Sequence, residues 1–127
     1  MISNVFAGIV VADIERARQW YAGVFGRDPD AAPMGGLYEW RFGDHCVQVV
    51  ELNTVRRIQD LPLWGSGGAS SITLVVEDAQ SAARAAVASG GKNVSHYDGP
   101  AFQTSSVCDP EGNLVTFLEH GASAAAR

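Results

Sequence analysis

The feature that most constrains this chain is that it is written twice. One shift of the sequence on itself carries Asp13 onto Asp78 and Gly26 onto Gly91. The first copy opens with Val5 to Val11, a β-branched run ending near Asp13, and continues through Ile14 to Phe25 with apolar residues at helical spacing. The second opens with Ser70 to Val76 and Asp78, continues through Ala79 to Ser89, and closes at Gly90-Gly91. Both copies pose one physical solution: a strand, an aspartate that caps the next helix, and a glycine suited to the left-handed turn that ends it. Ile14, Ala17, Tyr21 and Val24 or Phe25 form an apolar stripe on the first helix. Ala79, Ala82, Ala83, Ala86 and Val87 do so on the second, so each helix is expected to lie on a sheet.

Strand-like runs follow each helix. They are Leu37 to Phe42 and Cys46 to Leu52 in the first half, and Asn93 to Tyr97, Phe102 to Cys108 and Leu114 to Glu119 in the second. Turn chemistry separates them at Gly43-Asp44, at Asp98-Gly99-Pro100 and at Asp109-Pro110-Glu111-Gly112-Asn113. A further strand of the first half, around Asp28 to Gly36, is only faintly written. At 127 residues the chain is expected to form one domain of two modules, about 4–52 and 70–120. A linker over 53–69 with one short helical turn joins them, and the tail 121–127 is expected to fray.

Nine Lys and Arg against fourteen Asp and Glu give a net charge of -5, which disfavours nucleic acid and favours a cationic partner. Cys46 and Cys108 stand alone, without zinc or redox spacing, as small buried hydrophobes would. No run approaches the roughly 18 apolar residues of a membrane span, and no export signal is legible, so a cytoplasmic location without membrane contact is expected.

A strand-Asp-helix-Gly unit followed by three strands, then repeated, resembles the vicinal-oxygen-chelate superfamily of glyoxalase, bleomycin-resistance and ring-cleaving dioxygenase proteins. The resemblance covers roughly Val5 to His120. Its most specific parts are Trp20-Tyr21-x-x-x-Phe25-Gly26 at the first helix end and Asp109 to Asn113 before the last strand. It implies an α+β fold of tandem βαβββ modules, with mixed sheets curled into a cup and helices on the convex side. It also implies a homodimer in which cups are completed between modules. Trp20, Tyr21 and Phe25 themselves read as the buried face of a helix, and Asp109 to Asn113 as a turn set by proline and glycine.

In metal-dependent relatives the resemblance places ion ligands on the first and last strands of each module. Here those positions are Phe6, Gln48, Ser71 and Thr116. A ring, two hydroxyls and one neutral amide make a poor donor set for a catalytic divalent ion, so no metal and no other cofactor is expected. His45, Glu51 and Glu119 have the wrong parity along their strands to substitute, while His120 sits at the rim and His96 on another strand. A one-residue bulge would bring Glu51 or Glu119 inward.

The same parity gives the cup Phe6, Gly8 and Val10, then Cys46, Gln48 and Val50, then Ser71, Thr73 and Val75, then Leu114, Thr116 and Leu118. It leaves Ile9, Val11, Ile72, Leu74 and Val76 under the helices. Tyr38 and Trp40 are expected beside the cup and Trp64 over its mouth, where they would stack a planar or cationic ligand. Packing in the core or at a dimer interface is the equal alternative for Trp40 and Trp64. The favoured expectation is a metal-free binding protein that sequesters a planar or cationic small molecule through Phe6, Tyr38, Trp40, Gln48, Trp64, Ser71, Thr73 and Thr116. Whether it is an enzyme stays open: a glyoxalase- or lyase-type enzyme is the first alternative, and a scaffold domain whose cup is filled by its own side chains is the second.

Overall fold

Each β-branched run pairs with the last strand of its own half, and that pairing organises the molecule. The computed structural model describes residues 1–2, 4–59, 68 and 70–121. The first half comprises β1 (Phe6–Val11), α1 (Ile14–Phe25), β2 (Ala31–Met34), β3 (Leu37–Phe42) and β4 (His45–Glu51), followed by α2 (Leu52–Gln59). The second comprises β5 (Ser71–Val75), α3 (Ala79–Ala88), β6 (Lys92–Asp98), β7 (Phe102–Cys108) and β8 (Leu114–His120). They form two four-stranded sheets, ordered β1-β4-β3-β2 and β5-β8-β7-β6, in which the first strand runs parallel to the last and the hairpin strands antiparallel. The α+β fold of two βαβββ modules is therefore as the sequence predicts. The linker differs: its first residues form the two-turn helix α2 rather than a single turn, while 60–67, 69 and the tail from 122 lie outside the described residues.

The caps form as their residues require. Asp13 accepts from the Arg16 N–H at 3.1 Å and Asp78 from the Ser81 N–H at 3.0 Å. Gly26 takes the left-handed conformation (φ 77°) at the end of α1. On α1 the buried face is Ala17, Trp20 and Tyr21, and on α3 it is Ala79, Ala83 and Ala86. These pack on Ile9, Val11, Val47 and Val49 of one sheet and Val107, Val115 and Phe117 of the other, and the buried cluster is continuous across both modules.

The modules are joined by polar contacts within that cluster. Trp20 on α1 donates through its indole N–H to the Ala86 carbonyl on α3 at 3.1 Å. The Asp109 to Asn113 turn, which read as a simple reversal, reaches across to the first module. Tyr21 donates its hydroxyl to buried Asp109 at 2.8 Å, and Asn113 donates to the Val10 carbonyl at 3.2 Å. Glu111 accepts from the N–H groups of Ala12 and Asp13 at 2.6 and 2.8 Å, at the start of α1. Asp109 also organises its own turn, accepting from the N–H groups of Glu111 and Asn113 and from the Asn113 amide. Burial and the neighbouring Asp109 charge push the Tyr21 phenol far above its ordinary range, so it stays a donor at every accessible pH.

Two predictions follow from these contacts. Tyr21→Phe removes one hydrogen bond to a charged acceptor and lowers unfolding stability by about 1.5–3 kcal/mol in urea titration, whereas Asp109→Ala leaves several buried donors unpaired and costs more. Gly91, between the modules, would place any Cβ 2.9 Å from both the Cys108 carbonyl and the Trp20 ring. Gly91→Ala therefore lowers stability by about 1–3 kcal/mol in the same measurement.

Candidate functional site

Each sheet carries a helix on one face and leaves the other without one. The sorting of side chains follows the predicted parity on β1, β4, β5 and β8. Ile9, Val11, Val47 and Val49 are buried on the helix side, while Phe6 on the opposite face is 51% exposed. Gln48 shares that open face with Phe6, Gly8 and Cys46. Ser71, Thr73 and Thr116 lie on the open face of the second sheet, with Thr73 directly opposite Thr116. Ser71 and Thr73 also line a groove of about 740 Å³ that runs between the modules beside Val5, Ala7 and Phe25.

Tyr38 corrects the expectation that it flanks the cup, and for Trp40 the structure takes the equal alternative of core packing. Strands β3 and β4 are joined by a two-residue turn at Gly43-Asp44 that pairs Phe42 with His45, and so Trp40 with Val47 and Tyr38 with Val49. Directly paired residues share a face, which puts Tyr38, Trp40 and Phe42 on the helix side. Trp40 is 0% exposed, donates to the Arg27 carbonyl at 2.9 Å and packs against Phe25 at 5.1 Å. Tyr38 donates to Glu15 at 2.6 Å beside the Arg18 guanidinium, and that bond raises the phenol's pKa. Trp64 lies outside the described residues. The hairpin turn was visible in the sequence and, counted through, would have set the register.

The same register brings forward a residue that the sequence reading missed. Glu39 pairs with Gln48 on the open face and is only 7% exposed. Its carboxylate accepts from the Gln48 amide at 2.7 Å and from Arg41, a largely exposed side chain, at 3.4 Å. In the second sheet the corresponding place holds two hydroxyls, Ser106 and Thr116, which share a hydrogen bond at 2.9 Å. Aromatic surface on that face comes from Tyr97 and Phe102, whose rings are tilted against each other with centroids 5.4 Å apart. In the first sheet Cys46 pairs with Arg41, and burial together with the Glu39 charge raises its thiol pKa.

The residues at the superfamily's ion positions do not fit a catalytic divalent ion. Phe6 offers no donor, and Gln48, Ser71 and Thr116 offer one amide and two hydroxyls across two sheets. Among the described residues no three His, Cys, Asp or Glu side chains gather in a way that would hold a metal. The carboxylate that is present, Glu39, is engaged by Gln48 and Arg41. Nor, among the described residues, is any helix long and apolar enough to cross a membrane.

Residues 5–118 match the model of the glyoxalase-like domain family. No curated protein matches the sequence. Among solved structures, a glyoxalase/bleomycin resistance protein from Catenulispora acidiphila DSM 44928 is similar at 24% identity and a TM-score of 0.71, over 91% of this chain and 96% of that one. A lactoylglutathione lyase from Agrobacterium tumefaciens is similar at 18% identity and a TM-score of 0.72, over 94% and 95%. A glyoxalase/bleomycin resistance protein/dioxygenase family enzyme from Burkholderia phytofirmans PsJN is similar at 17% identity and a TM-score of 0.74, over 91% and 96%. At these identities the structural likenesses speak for the fold alone, and the match over residues 5–118 carries the family: the chain belongs to the glyoxalase-like domain family of the vicinal-oxygen-chelate superfamily.

Proposed function

We propose that this chain is a small-molecule binding protein that takes a cationic, flat ligand on its open sheet faces without a metal ion. The observation that carries the reading is Glu39. Glu39, at 7% exposure, lies on the open side of its sheet, held by the neutral Gln48 amide and by the solvent-exposed Arg41 guanidinium. A ligand cation could take the place of Arg41 there, in keeping with the net charge of -5. Phe6, Tyr97 and Phe102 supply the flat surface that Tyr38 and Trp40 do not, and Ser71, Thr73, Ser106 and Thr116 supply hydroxyls for orientation. The donor set at the superfamily's ion positions supports binding without metal.

The homodimer belongs to the same reading. β1 and β5 are each at the edge of a sheet, and they carry Phe6 at 51% and Val75 at 66% exposure. Apolar side chains along two edges with no strand partner among the described residues favour coverage by a second copy. Such coverage would bring the Glu39–Gln48 pair of one copy toward the Ser106–Thr116 pair of the other.

A second reading is favoured by the same carboxylate. Glu39 on an open face has the chemistry of a proton acceptor, and one similar structure is that of a lactoylglutathione lyase. In that case the ligand would be turned over by proton transfer rather than sequestered.

The test is calorimetric titration of the dialysed protein with a panel of cationic aromatic compounds, with product analysis of each mixture. A ligand is expected that raises stability by about 2.7 kcal/mol at a hundred times its dissociation constant. Glu39→Gln is expected to weaken it by about 30-fold or more, because one partner of a desolvated charge pair is lost. The same variant keeps its fold, since an amide oxygen still accepts from Gln48 and a buried charge is removed. Stoichiometric retention of a divalent metal after dialysis would overturn the metal-free reading, and release of product would move the assignment to the enzyme. In sedimentation, the chain is expected to run as a dimer that Val75→Lys converts to monomer.

A further inference from the structure

The two modules differ on the helix side of their sheets, and the difference leaves a second cavity. In the first module the space between α1 and its sheet is filled: Tyr38, opposite Val49, bonds Glu15, and the Arg18 guanidinium lies 5.9 Å from its ring centre. In the second module Ser105 stands opposite Phe117 as Tyr38 stands opposite Val49. Gln80 follows its capping aspartate as Glu15 does, and Ala83 holds the place of Arg18. The phenol and the guanidinium are thus replaced by a hydroxymethyl and a methyl group. What remains is a groove of about 400 Å³ between α3 and strands β6 and β7, on the side of the sheet away from the open face.

Its lining is built for an anion. The floor is apolar, from Ala83 and Val87, with the Ser105 hydroxyl set into it at 4% exposure. Ser105 is held by the His96 ring at 2.9 Å, and His96 in turn faces the Gln80 amide at 3.2 Å. Asn93 and Arg84 complete the rim. Arg84 makes no ion pair among the described residues, and no carboxylate lines the groove. In the next row of the sheet, Glu119 has one oxygen on the Ala79 N–H and the other on the Gln103 amide, and Asp98, opposite Gln103, is exposed. In a chain of net charge -5, a groove with one free guanidinium, two amides, an imidazole and no acid is set apart from its surroundings.

We propose that this groove binds a small amphipathic carboxylate, with the carboxylate on Arg84 and the Gln80 and Asn93 amides and the hydrocarbon part on Ala83 and Val87. Guanidinium and carboxylate match in planar, two-point geometry. The site is independent of the open face, since it lies across the sheet from it. The probes are benzoate and hexanoate, with benzamide as the uncharged control, titrated into the full chain and followed by calorimetry and proton–nitrogen correlation spectra. Both carboxylates are expected to bind saturably, with dissociation constants of about 1 mM or tighter, and benzamide to bind more weakly. The resonances that move are expected to be those of α3 and β6. Arg84→Gln should weaken carboxylate binding by about tenfold or more. Ser105→Tyr, which restores the ring of the first module, should abolish it. Arg84 is exposed, so Arg84→Gln keeps its fold and decides the matter even where Ser105→Tyr does not fold. Absence of saturable carboxylate binding, equal binding by Arg84→Gln, or shifts confined to Glu39, Gln48 and β4 would each overturn the proposal.

Discussion

The buried carboxylate of Asp109 is the point on which the arrangement of the two modules depends. It fixes its own turn through two backbone N–H groups and the Asn113 amide, and it accepts the Tyr21 hydroxyl from the opposite module. A charge at 3% exposure is tolerated because each of its oxygens is engaged. The same turn reaches the end of β1 through Asn113 and the start of α1 through Glu111. Helix packing alone would leave the alanine face of α3 free to slide along α1. Directional bonds at the turn, together with the Trp20 indole on the Ala86 carbonyl, remove that freedom.

With that relation fixed, both sheets can leave one face uncovered. The burial of apolar area is concentrated on the helix side, where Trp40, Tyr21 and Phe117 are among the largest fully buried side chains. The open faces are then spared the task of holding the fold together and can carry groups that water would otherwise claim. Glu39 with Gln48 on one sheet and Ser106 with Thr116 on the other are such groups. Family membership sets the scaffold, while the chemistry of a member rests on the particular residues it displays there.

Much of the fold was legible because the repeat, the capping aspartates and the turn residues are local signals. The helix over Ile14 to Phe25 and the strands Leu37 to Phe42 and Phe102 to Cys108 stand where the periodicity places them. The faint strand near Pro33 was hard to read because β2 is short, sits at a sheet edge and pairs irregularly with β3. The open face was legible on β1, β4, β5 and β8, where one parity gathers most of the branched apolar residues and the other carries Gly8, Gln48, Ser71, Thr73 and Thr116. It was misread on β3, where both parities carry large or charged side chains and only the cross-strand register decides. Tyr38 and Trp40 look like ligand-stacking rings until the Gly43-Asp44 turn is counted through, and that count moves Glu39 to the front. The role of Asp109 was hidden for another reason: its partner Tyr21 is remote in sequence, and a turn motif does not announce what lies against it.

The parallel pairing of β1 with β4, and of β5 with β8, also governs how the chain must assemble. A hairpin closes as soon as its second strand exists, but a parallel strand waits until the whole crossover has been made. The first strand of each half therefore has no partner on its own sheet until that half's last strand is in place. The turn that ties the halves together immediately precedes β8, the last strand of all. During synthesis the first half can complete its sheet early and must then wait, with its Tyr21 hydroxyl lacking its acceptor, until nearly the entire second half has emerged. The contacts of that turn thus join two halves whose sheets are each closed within their own stretch of sequence.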